Sequence, residues 1–308
     1  MKLATFLVEQ APEIGIVRDN RILSLSRIAP QLAVDMLDLI TRWPHLECEV
    51  RRVAGEGSTG GFDIDQVRLL APIRRPGKIM AIGLNYAEHV AEWKGGGTSE
   101  HQIWFSKASS ATNTPYGDIE IPLVSQTVDY EAELVAIVGR GGRHIGRDDA
   151  PSALFGFCVG NDVTERSWQH QTPQWVLGKS FDTHAPFGPW ITTVDEAPDP
   201  HGRDIRCLVN GEMRQSSNTR HMIFDVWAQV AHLSQAMTLE PGDVIFTGTP
   251  SGIGAARNPR VFLKPGDVVR VEIEGLGAIE NHCVAEAQAR RRGQVGRAKL
   301  RKEHDGHD

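Results

Sequence analysis

Residues 127–139 read TVDYEAELVAIVG, and this stretch decides the fold because it combines a strand pattern with unusually placed charges. Its β-branched and aromatic residues favour a strand, and the side chains of a strand alternate between two faces. One face carries only residues that suit a core, while the other carries Asp129, Glu131 and Glu133 before it becomes apolar. Because neighbouring carboxylates on a buried face repel each other, we expect a cation beside Glu131 and Glu133.

A third carboxylate strengthens this expectation. For Glu131 and Glu133 alone, an edge strand whose acidic face meets water is the simpler explanation. The apolar run at 155–161, however, predicts another strand that ends just before Asp162, and functional residues are common outside the ends of strands. Three carboxylates without a His or Cys cluster are hard oxygen ligands, which suit Mg²⁺, Mn²⁺ or Ca²⁺ better than Zn²⁺.

The composition of the 308-residue chain is that of an ordinary soluble protein, with 40% hydrophobic and 23% charged residues. The net charge of -6 gives no basic excess for phosphates, so we do not expect nucleic acid as a partner. We also expect no signal peptide and no membrane span. The four cysteines form no CxxC pair. These features together predict a cytoplasmic protein in a reducing compartment.

The chain is predicted to divide into three parts. A small N-terminal α+β domain spans residues 1–72, where three strand-like runs precede a helical spacing of apolar residues at 33–40. The sequence RRPG at 74–77 marks the boundary, and a larger unit follows over residues 73–284. Residues 285–308 are basic and contain few apolar side chains, which predicts a flexible tail.

A short predicted helix carries a second group of candidate residues. Asn85 follows a strand-like run and is a good helix N-cap. His89 and Glu92 lie three residues apart, so on a helix they share one face and can form a hydrogen bond. A carboxylate on one imidazole nitrogen leaves the other as a base, although a surface ion pair is the common alternative. The glycines at 95–97 predict a hinge that would let this helix close as a lid.

Three later segments add further candidates. Lys179 lies in the apolar and aromatic run WVLGKSFD at 175–182, where it either reaches solvent or is held by nearby carboxylates. Residues 164–171 are predicted to form a helix. The glycine-rich segment at 247–254 can bind an anion through backbone N–H groups. Because this segment lacks the lysine of a P-loop, we do not expect nucleotide binding.

Five motifs together resemble the fumarylacetoacetate hydrolase family. They are GLNYAEHVAE at 83–92, YEAEL at 130–134, GNDVT at 160–164, GKSFD at 178–182 and FTGTPSG at 246–252. Their order and spacing extend over residues 73–284 and resemble those of bacterial two-domain members. The resemblance implies a mixed β/α fold that is mainly β, in which a twisted β-roll catalytic domain follows the small N-terminal domain along the chain. It also implies a homodimer.

The resemblance assigns roles to individual residues. It implies metal ligands at Glu131, Glu133 and Asp162, with Mg²⁺ or Mn²⁺ as the usual ion and Ca²⁺ as a substitute in crystals. It implies catalytic positions at His89, Glu92 and Lys179. It further matches Lys107, Gln169 and Thr249 to positions that contact substrate.

The resemblance implies a metal-dependent hydrolase that cleaves a C–C bond in an acylpyruvate or another 2,4-dioxo acid. Fumarylpyruvate, fumarylacetoacetate and 2,4-dioxo-3-deoxy sugar acids are examples, from the breakdown of aromatic compounds or sugar acids. The ion and Lys179 would stabilise a pyruvate-type enolate, while His89 would activate water. The alternatives at the same site are decarboxylation of oxaloacetate and isomerisation of a 2-hydroxyhepta-2,4-diene-1,7-dioate-type substrate. A non-catalytic metal-binding scaffold is the alternative from a different class.

Overall fold

The computed structural model describes residues 1–55, 61–92 and 100–286. The predicted hinge at 95–97, and the predicted tail beyond residue 286, lie outside these residues. In the described part of the chain, no helix is both long enough and apolar enough to cross a membrane.

The N-terminal segment forms short strands and one long helix. Its elements are β1 (Lys2–Val8), β2 (Ala11–Arg18), β3 (Arg21–Ser24), α1 (Leu25–Ile28), α2 (Met36–Gly55), β4 (Phe62–Asp63) and β5 (Arg68–Leu69). Helix α2 is much longer than the predicted helix at 33–40. It continues past Pro44 because its buried apolar residues, from Met36 to Ala54, keep a helical spacing on both sides of the proline.

The rest of the described chain is mainly β. Its elements are β6 (Ile79–Gly83), α3 (Ala87–Glu92), β7 (Ile103–Lys107), β8 (Thr112–Asn113), β9 (Ile119–Ile121), β10 (Val128–Asp129), β11 (Ala132–Val138), α4 (Ala150–Ala153), β12 (Leu154–Asn161), β13 (Thr164–Glu165), α5 (Arg166–Gln169), β14 (Ala185–Thr193), β15 (Asp204–Val209), β16 (Glu212–Asn218), α6 (Val226–Ala236), β17 (Val244–Phe246), β18 (Val268–Ile273) and β19 (Gly277–Ala285). This content confirms the predicted fold class.

The described strands form one large sheet and two smaller ones. The 12-stranded sheet has the order β4-β3-β2-β1-β14-β12-β11-β17-β6-β7, with β5 beside β1 and β8 beside β14. The five-stranded sheet has the order β16-β15-β18-β19-β9, and β10 pairs with β13. The N-terminal strands join the large sheet through the pairing of β1 with β14. The division of the chain at residue 72 stays a prediction.

Strand β11 lies inside the large sheet, between β12 and β17. Leu134 and Ala136 pack into a core that also contains residues of the five-stranded sheet. Val135 and Ile137 point the other way, into the core that contains the buried face of α2. The predicted alternation of faces is therefore confirmed, and the exposed edge strand is excluded.

The predicted strand at 127–139 is nevertheless interrupted, and it forms two separate strands, β10 and β11. At the interruption, side-chain oxygens accept hydrogen bonds from the backbone N–H groups. Asp129 Oδ1 accepts the N–H of Tyr130, and Asn161 Oδ1 accepts the N–H of Glu131, both at 2.9 Å. Such local side-chain bonds compete with strand pairing. The pattern of residue types predicts an extended chain here but does not reveal this competition.

Two predictions about helix starts were wrong. The helix predicted at 164–171 is limited to Arg166–Gln169, because the two residues before it pair with β10 as β13. Asn85 does not cap α3, which begins at Ala87. Its buried carboxamide donates to the carbonyl oxygens of Phe224 and Thr247 and accepts the N–H of Phe224. Tertiary partners therefore replace the local cap.

Candidate active site

The three carboxylates predicted to bind a metal lie together. One oxygen from each of Glu131, Glu133 and Asp162 lies within 4.8 Å of the other two, and all three residues are buried. Neighbouring strands bring them together, since Glu133 lies opposite Gly160 in the pairing of β11 with β12. Asp162 follows β12 by one residue, and its N–H donates to the carbonyl oxygen of Glu131 at 2.9 Å.

Buried cations compensate part of this negative charge. Lys179 Nζ lies 2.8 Å from Glu131 Oε2 and 2.5 Å from Asp162 Oδ2. Lys107 Nζ lies 2.5 Å from Asp162 Oδ1, and Arg166 Nη2 lies 2.7 Å from Glu131 Oε1. Burial by itself would raise the pKa of Glu131, but the charges of Lys179 and Arg166 outweigh it and hold this pKa well below its usual range.

Glu133 differs from the other two carboxylates, because none of these three cations forms an ion pair with it. Its Oε2 accepts the N–H of Gly248 at 2.7 Å. Burial, followed by the charges of Asp162 and Glu131, raises the pKa of Glu133 well above its usual range. A divalent cation among these oxygens would relieve the repulsion, and hard carboxylate oxygens are the ligands that Mg²⁺ and Mn²⁺ prefer. The donor set therefore fits such an ion.

A cavity of about 180 Å³ lies beside the carboxylate cluster. Its wall includes His89, Glu131, Gln169, Trp175, Lys179 and Thr249. Pockets for drug-sized ligands measure roughly 300–1,000 Å³, so this cavity suits a smaller molecule. The structure thus brings five of the predicted site residues to one cavity wall.

Lys107 does not line this cavity, in contrast to the substrate contact expected for it. The side chain is buried, and its Nζ donates to Asp162 Oδ1 and, at 3.2 Å, to the carbonyl oxygen of Val163. Burial lowers the pKa of Lys107, and the carboxylate of Asp162 opposes this shift. Lys107 therefore holds Asp162 without itself lining the cavity.

His89 and Glu92 share one face of α3, as their spacing predicts, but they do not approach as closely as expected. His89 Nδ1 lies 3.9 Å from Glu92 Oε1, which is an ion-pair distance and too long for a hydrogen bond. The same oxygen accepts the N–H of Gly252 at 2.6 Å. Glu92 thus lies between the imidazole and the loop that follows β17.

The loop that follows β17 binds anions, as its glycines predict, but these anions are side chains of the protein itself. Its backbone N–H groups donate to the carboxylates of Glu133, Glu92 and Asp129. Both oxygens of Asp129 are held in this way, at 2.8 and 2.9 Å. One loop therefore positions three acidic residues around the cavity.

Asp129 and Arg166 have no role predicted from the sequence, and the structure places both at the site. Asp129 Oδ2 accepts the Nε–H of Arg166 at 3.0 Å, and Arg166 Nη1 donates to Gln169 Oε1 at 3.0 Å. This bond leaves the amino group of Gln169 for the cavity. A signal was available for Asp129, since it precedes Glu131 by two residues and so shares its face in the predicted strand.

Comparisons with known proteins agree with this geometry. The family model that describes the C-terminal region of fumarylacetoacetate hydrolase matches residues 78–284. The chain is 47% identical over 278 residues to an oxaloacetate tautomerase of Rattus norvegicus described as mitochondrial, covering 89% of this chain and 88% of that protein.

Solved structures are similar over nearly the whole chain. A fumarylacetoacetate hydrolase from Exiguobacterium antarcticum is 36% identical with a TM-score of 0.80, covering 93% of this chain and 100% of that chain. A maleylpyruvate hydrolase from Sphingobium sp. SYK-6, solved with a manganese(II) ion and pyruvate, is 29% identical with a TM-score of 0.77. That comparison covers 92% of this chain and 99% of the hydrolase.

Proposed function

Because this chain belongs to the fumarylacetoacetate hydrolase family, we propose that it is a divalent-metal-dependent enzyme that interconverts the keto and enol forms of a small 2-oxo acid such as oxaloacetate. The observation that carries this proposal is the buried cluster of Glu131, Glu133 and Asp162 beside a cavity of about 180 Å³. Identity to the tautomerase is 47%, against 36% to the fumarylacetoacetate hydrolase and 29% to the maleylpyruvate hydrolase. This difference favours tautomerisation over hydrolysis.

We propose that Glu131, Glu133 and Asp162 hold Mg²⁺ or Mn²⁺. When bound there, the ion supplies Lewis-acid polarisation of the 2-oxo group. The manganese in the similar maleylpyruvate hydrolase structure supports this assignment. The buried carboxyl group of Glu133, which forms no ion pair with the neighbouring lysine and arginine side chains, supports it independently.

In the proposed reaction His89 is the base. It lines the cavity, where it takes a proton from the carbon beside the 2-oxo group and returns a proton to the oxygen, which completes the enol. Glu92, 3.9 Å from the ring, stabilises the imidazolium that forms in between. The ammonium group of Lys179 also lines the cavity and stabilises negative charge that develops on the oxo oxygen.

C–C bond hydrolysis of an acylpyruvate or another 2,4-dioxo acid is the second candidate, and the similarity to the maleylpyruvate hydrolase favours it. In that reaction His89 takes a proton from water, and the water oxygen forms a bond to the distal carbonyl carbon. The C–C bond then breaks, and its electron pair remains on the pyruvate part as an enolate. Protonation of that enolate gives pyruvate beside the second carboxylic acid.

Product analysis separates these reactions. With Mn²⁺ present, we expect the ultraviolet absorbance of enol-oxaloacetate to relax faster than in buffer while total oxaloacetate stays constant. Release of CO₂ would indicate decarboxylation instead, a shifted double bond would indicate isomerisation, and a second carboxylic acid from an acylpyruvate would indicate hydrolysis.

We expect His89→Ala to abolish turnover and His232→Ala, at an exposed position of α6, to preserve it. Turnover unchanged in His89→Ala would contradict the proposed base, and no turnover on this panel would favour the scaffold.

We further propose a cytoplasmic homodimer. Cys48, Cys158, Cys207 and Cys283 are all free thiols, which is consistent with a reducing compartment. The similar rat tautomerase is described as mitochondrial, so cell fractionation tests the location. Light scattering of the purified protein tests the dimer.

A further inference from the structure

Gln215 on β16 is a buried residue that connects the carboxylate strand to the cavity wall. Its Oε1 accepts the N–H of Ala132 at 2.9 Å, between Glu131 and Glu133 in the chain. Its Nε2 donates to Thr249 Oγ1 and to the carbonyl oxygen of Pro250, both at 2.8 Å. A backbone N–H can only donate and a carbonyl oxygen can only accept, so these two groups determine the orientation of the carboxamide.

This orientation determines the role of the Thr249 hydroxyl. Thr249 Oγ1 accepts a hydrogen from Gln215, so its own hydrogen must be donated to another group. The hydrogen bonds among the described residues include no acceptor for that hydrogen, and Thr249 lines the cavity. The hydroxyl is therefore a donor directed at whatever occupies the cavity. Gln169 provides a similar donor, because Arg166 occupies its Oε1.

We propose that Gln215 is a positioning residue that orients the Thr249 hydroxyl so that it donates its hydrogen into the cavity. This part of the wall therefore selects a ligand group that has only hydrogen-bond acceptors, such as a carboxylate. That the group belongs to a 2-oxo acid rests on the proposed function. Gln215 lies behind Thr249 and acts through it, without touching the ligand.

A double-mutant cycle tests this proposal by calorimetric binding of pyruvate to the Mn²⁺-loaded protein. We expect Thr249→Val to weaken binding about tenfold or more, since a hydrogen bond to a charged group is lost. We expect Gln215→Met to weaken it about three- to tenfold, because the hydroxyl is then free to rotate. When Val already occupies position 249, Gln215→Met should have little further effect, because the two residues act as a unit.

Gln229→Met is the matched control. Gln229 is a buried glutamine of α6 that donates to the carbonyl oxygens of Phe224 and Thr247, and neither of these residues lines the cavity. We expect it to lower the melting temperature without changing pyruvate binding. If Gln215→Met does not fold, Gln215→Glu keeps the acceptor for Ala132 and removes the donor to Thr249, and it should weaken binding about tenfold.

The outcomes distinguish this inference from the proposed function. Additive effects of Gln215→Met and Thr249→Val, unchanged affinity in Gln215→Glu, or no pyruvate binding by the wild-type protein would overturn the role of Gln215. Inactivity on oxaloacetate, together with pyruvate binding and a coupled cycle, would overturn the proposed function and leave the inference standing.

Discussion

The N–H of Gly252 donates to Glu92 Oε1 over 2.6 Å and connects two residues 160 positions apart in the chain. Gly252 has a φ of 104°, which favours glycine. A Cβ atom there would also lie 2.1 Å from the carbonyl oxygen of Arg214. The conformation that directs this N–H at Glu92 therefore requires glycine. The loop after β17 consequently holds α3, and with it His89, in place over the cavity.

We expect Glu92→Ala to lower kcat about 10²–10⁴-fold on the substrate that the protein turns over, because it removes both the carboxylate beside His89 and the contact with Gly252. Glu92→Gln keeps an oxygen for the N–H of Gly252 and removes only the charge. If anchoring of α3 dominates, this variant retains most of its activity. Steady-state kinetics make the comparison, with Glu9→Ala, at an exposed position of the turn after β1, as the control. Full activity in Glu92→Ala would contradict the prediction.

Glu133→Gln should change stability in opposite directions without and with metal. In the metal-free protein we expect stabilisation of about 1–3 kcal/mol, because Glu133 must either be buried as a charge or take up a proton on folding, and the neutral amide of Gln avoids both costs. In the wild-type protein, Mn²⁺ at about 100 times its Kd adds roughly 2.7 kcal/mol. We expect the variant to lose most of that increment, because it lacks one ligand.

Thermal unfolding with and without Mn²⁺ measures both effects of Glu133→Gln. Glu9→Gln, in the exposed turn after β1, is the control and should change neither melting temperature. A variant that is less stable without metal, or that retains the whole Mn²⁺ increment, would show that Glu133 is not the uncompensated ligand of the cluster.

Arg166→Met should destabilise the protein by about 3–5 kcal/mol, because two buried carboxylates lose a cation at once. Arg166 lies 3.0 Å from Asp129 Oδ2 and 2.7 Å from Glu131 Oε1. The exposed pair of Arg42 with Asp38 on α2 gives the matched control, and Arg42→Met should cost less than about 1 kcal/mol. Urea unfolding measures both variants. A similar small loss in both would mean that the buried ion pairs contribute nothing beyond a surface pair.

The parts of the site that could be predicted from the sequence depend on the regular spacing of side chains along one strand or helix, and on which residue directly follows a strand. Alternation along the predicted strand at 127–139 places Glu131 and Glu133 on one face, and Asp162 directly follows β12. Both features can be deduced from neighbouring residues. The spacing of His89 and Glu92 on one helix face is local in the same way.

The remaining contacts depend on pairing between distant segments, which residue patterns do not encode. In the pairing of β10 with β13, Asp129 lies opposite Thr164. This pairing brings Asp129 close to Arg166, which follows Thr164 by two residues. Lys107, the last residue of β7, lies beside Asp162 although β11, β17 and β6 separate β7 from β12 in the sheet order. Asn85 matches the pattern of a helix cap, but its side chain instead forms hydrogen bonds with backbone groups of Phe224 and Thr247.

A buried histidine that is not part of the carboxylate cluster predicts how stability depends on pH. Burial, with a smaller contribution from the charge of Lys107, lowers the pKa of His184 to about 4. Its Nε2 lies 2.9 Å from the carbonyl oxygen of Glu120. In the unfolded chain the imidazole takes up a proton near pH 6.5. Between about pH 6.5 and pH 4 the unfolded chain therefore binds more protons than the folded protein.

The contribution of His184 to the free energy of unfolding is therefore at its maximum above about pH 6.5. It falls by about 3 kcal/mol in total as the pH decreases towards 4. We expect His184→Gln, which can still donate to Glu120, to flatten the fall in the free energy of unfolding over this window. Urea unfolding at about pH 7.5, 6 and 4.5 measures the slope, and the difference from the wild-type protein isolates His184 from the carboxylates that titrate nearby. His232→Gln, on the exposed side of α6, should leave the slope unchanged. Equal slopes in His184→Gln and the wild-type protein would mean that the folded protein protonates His184 as readily as the unfolded chain does.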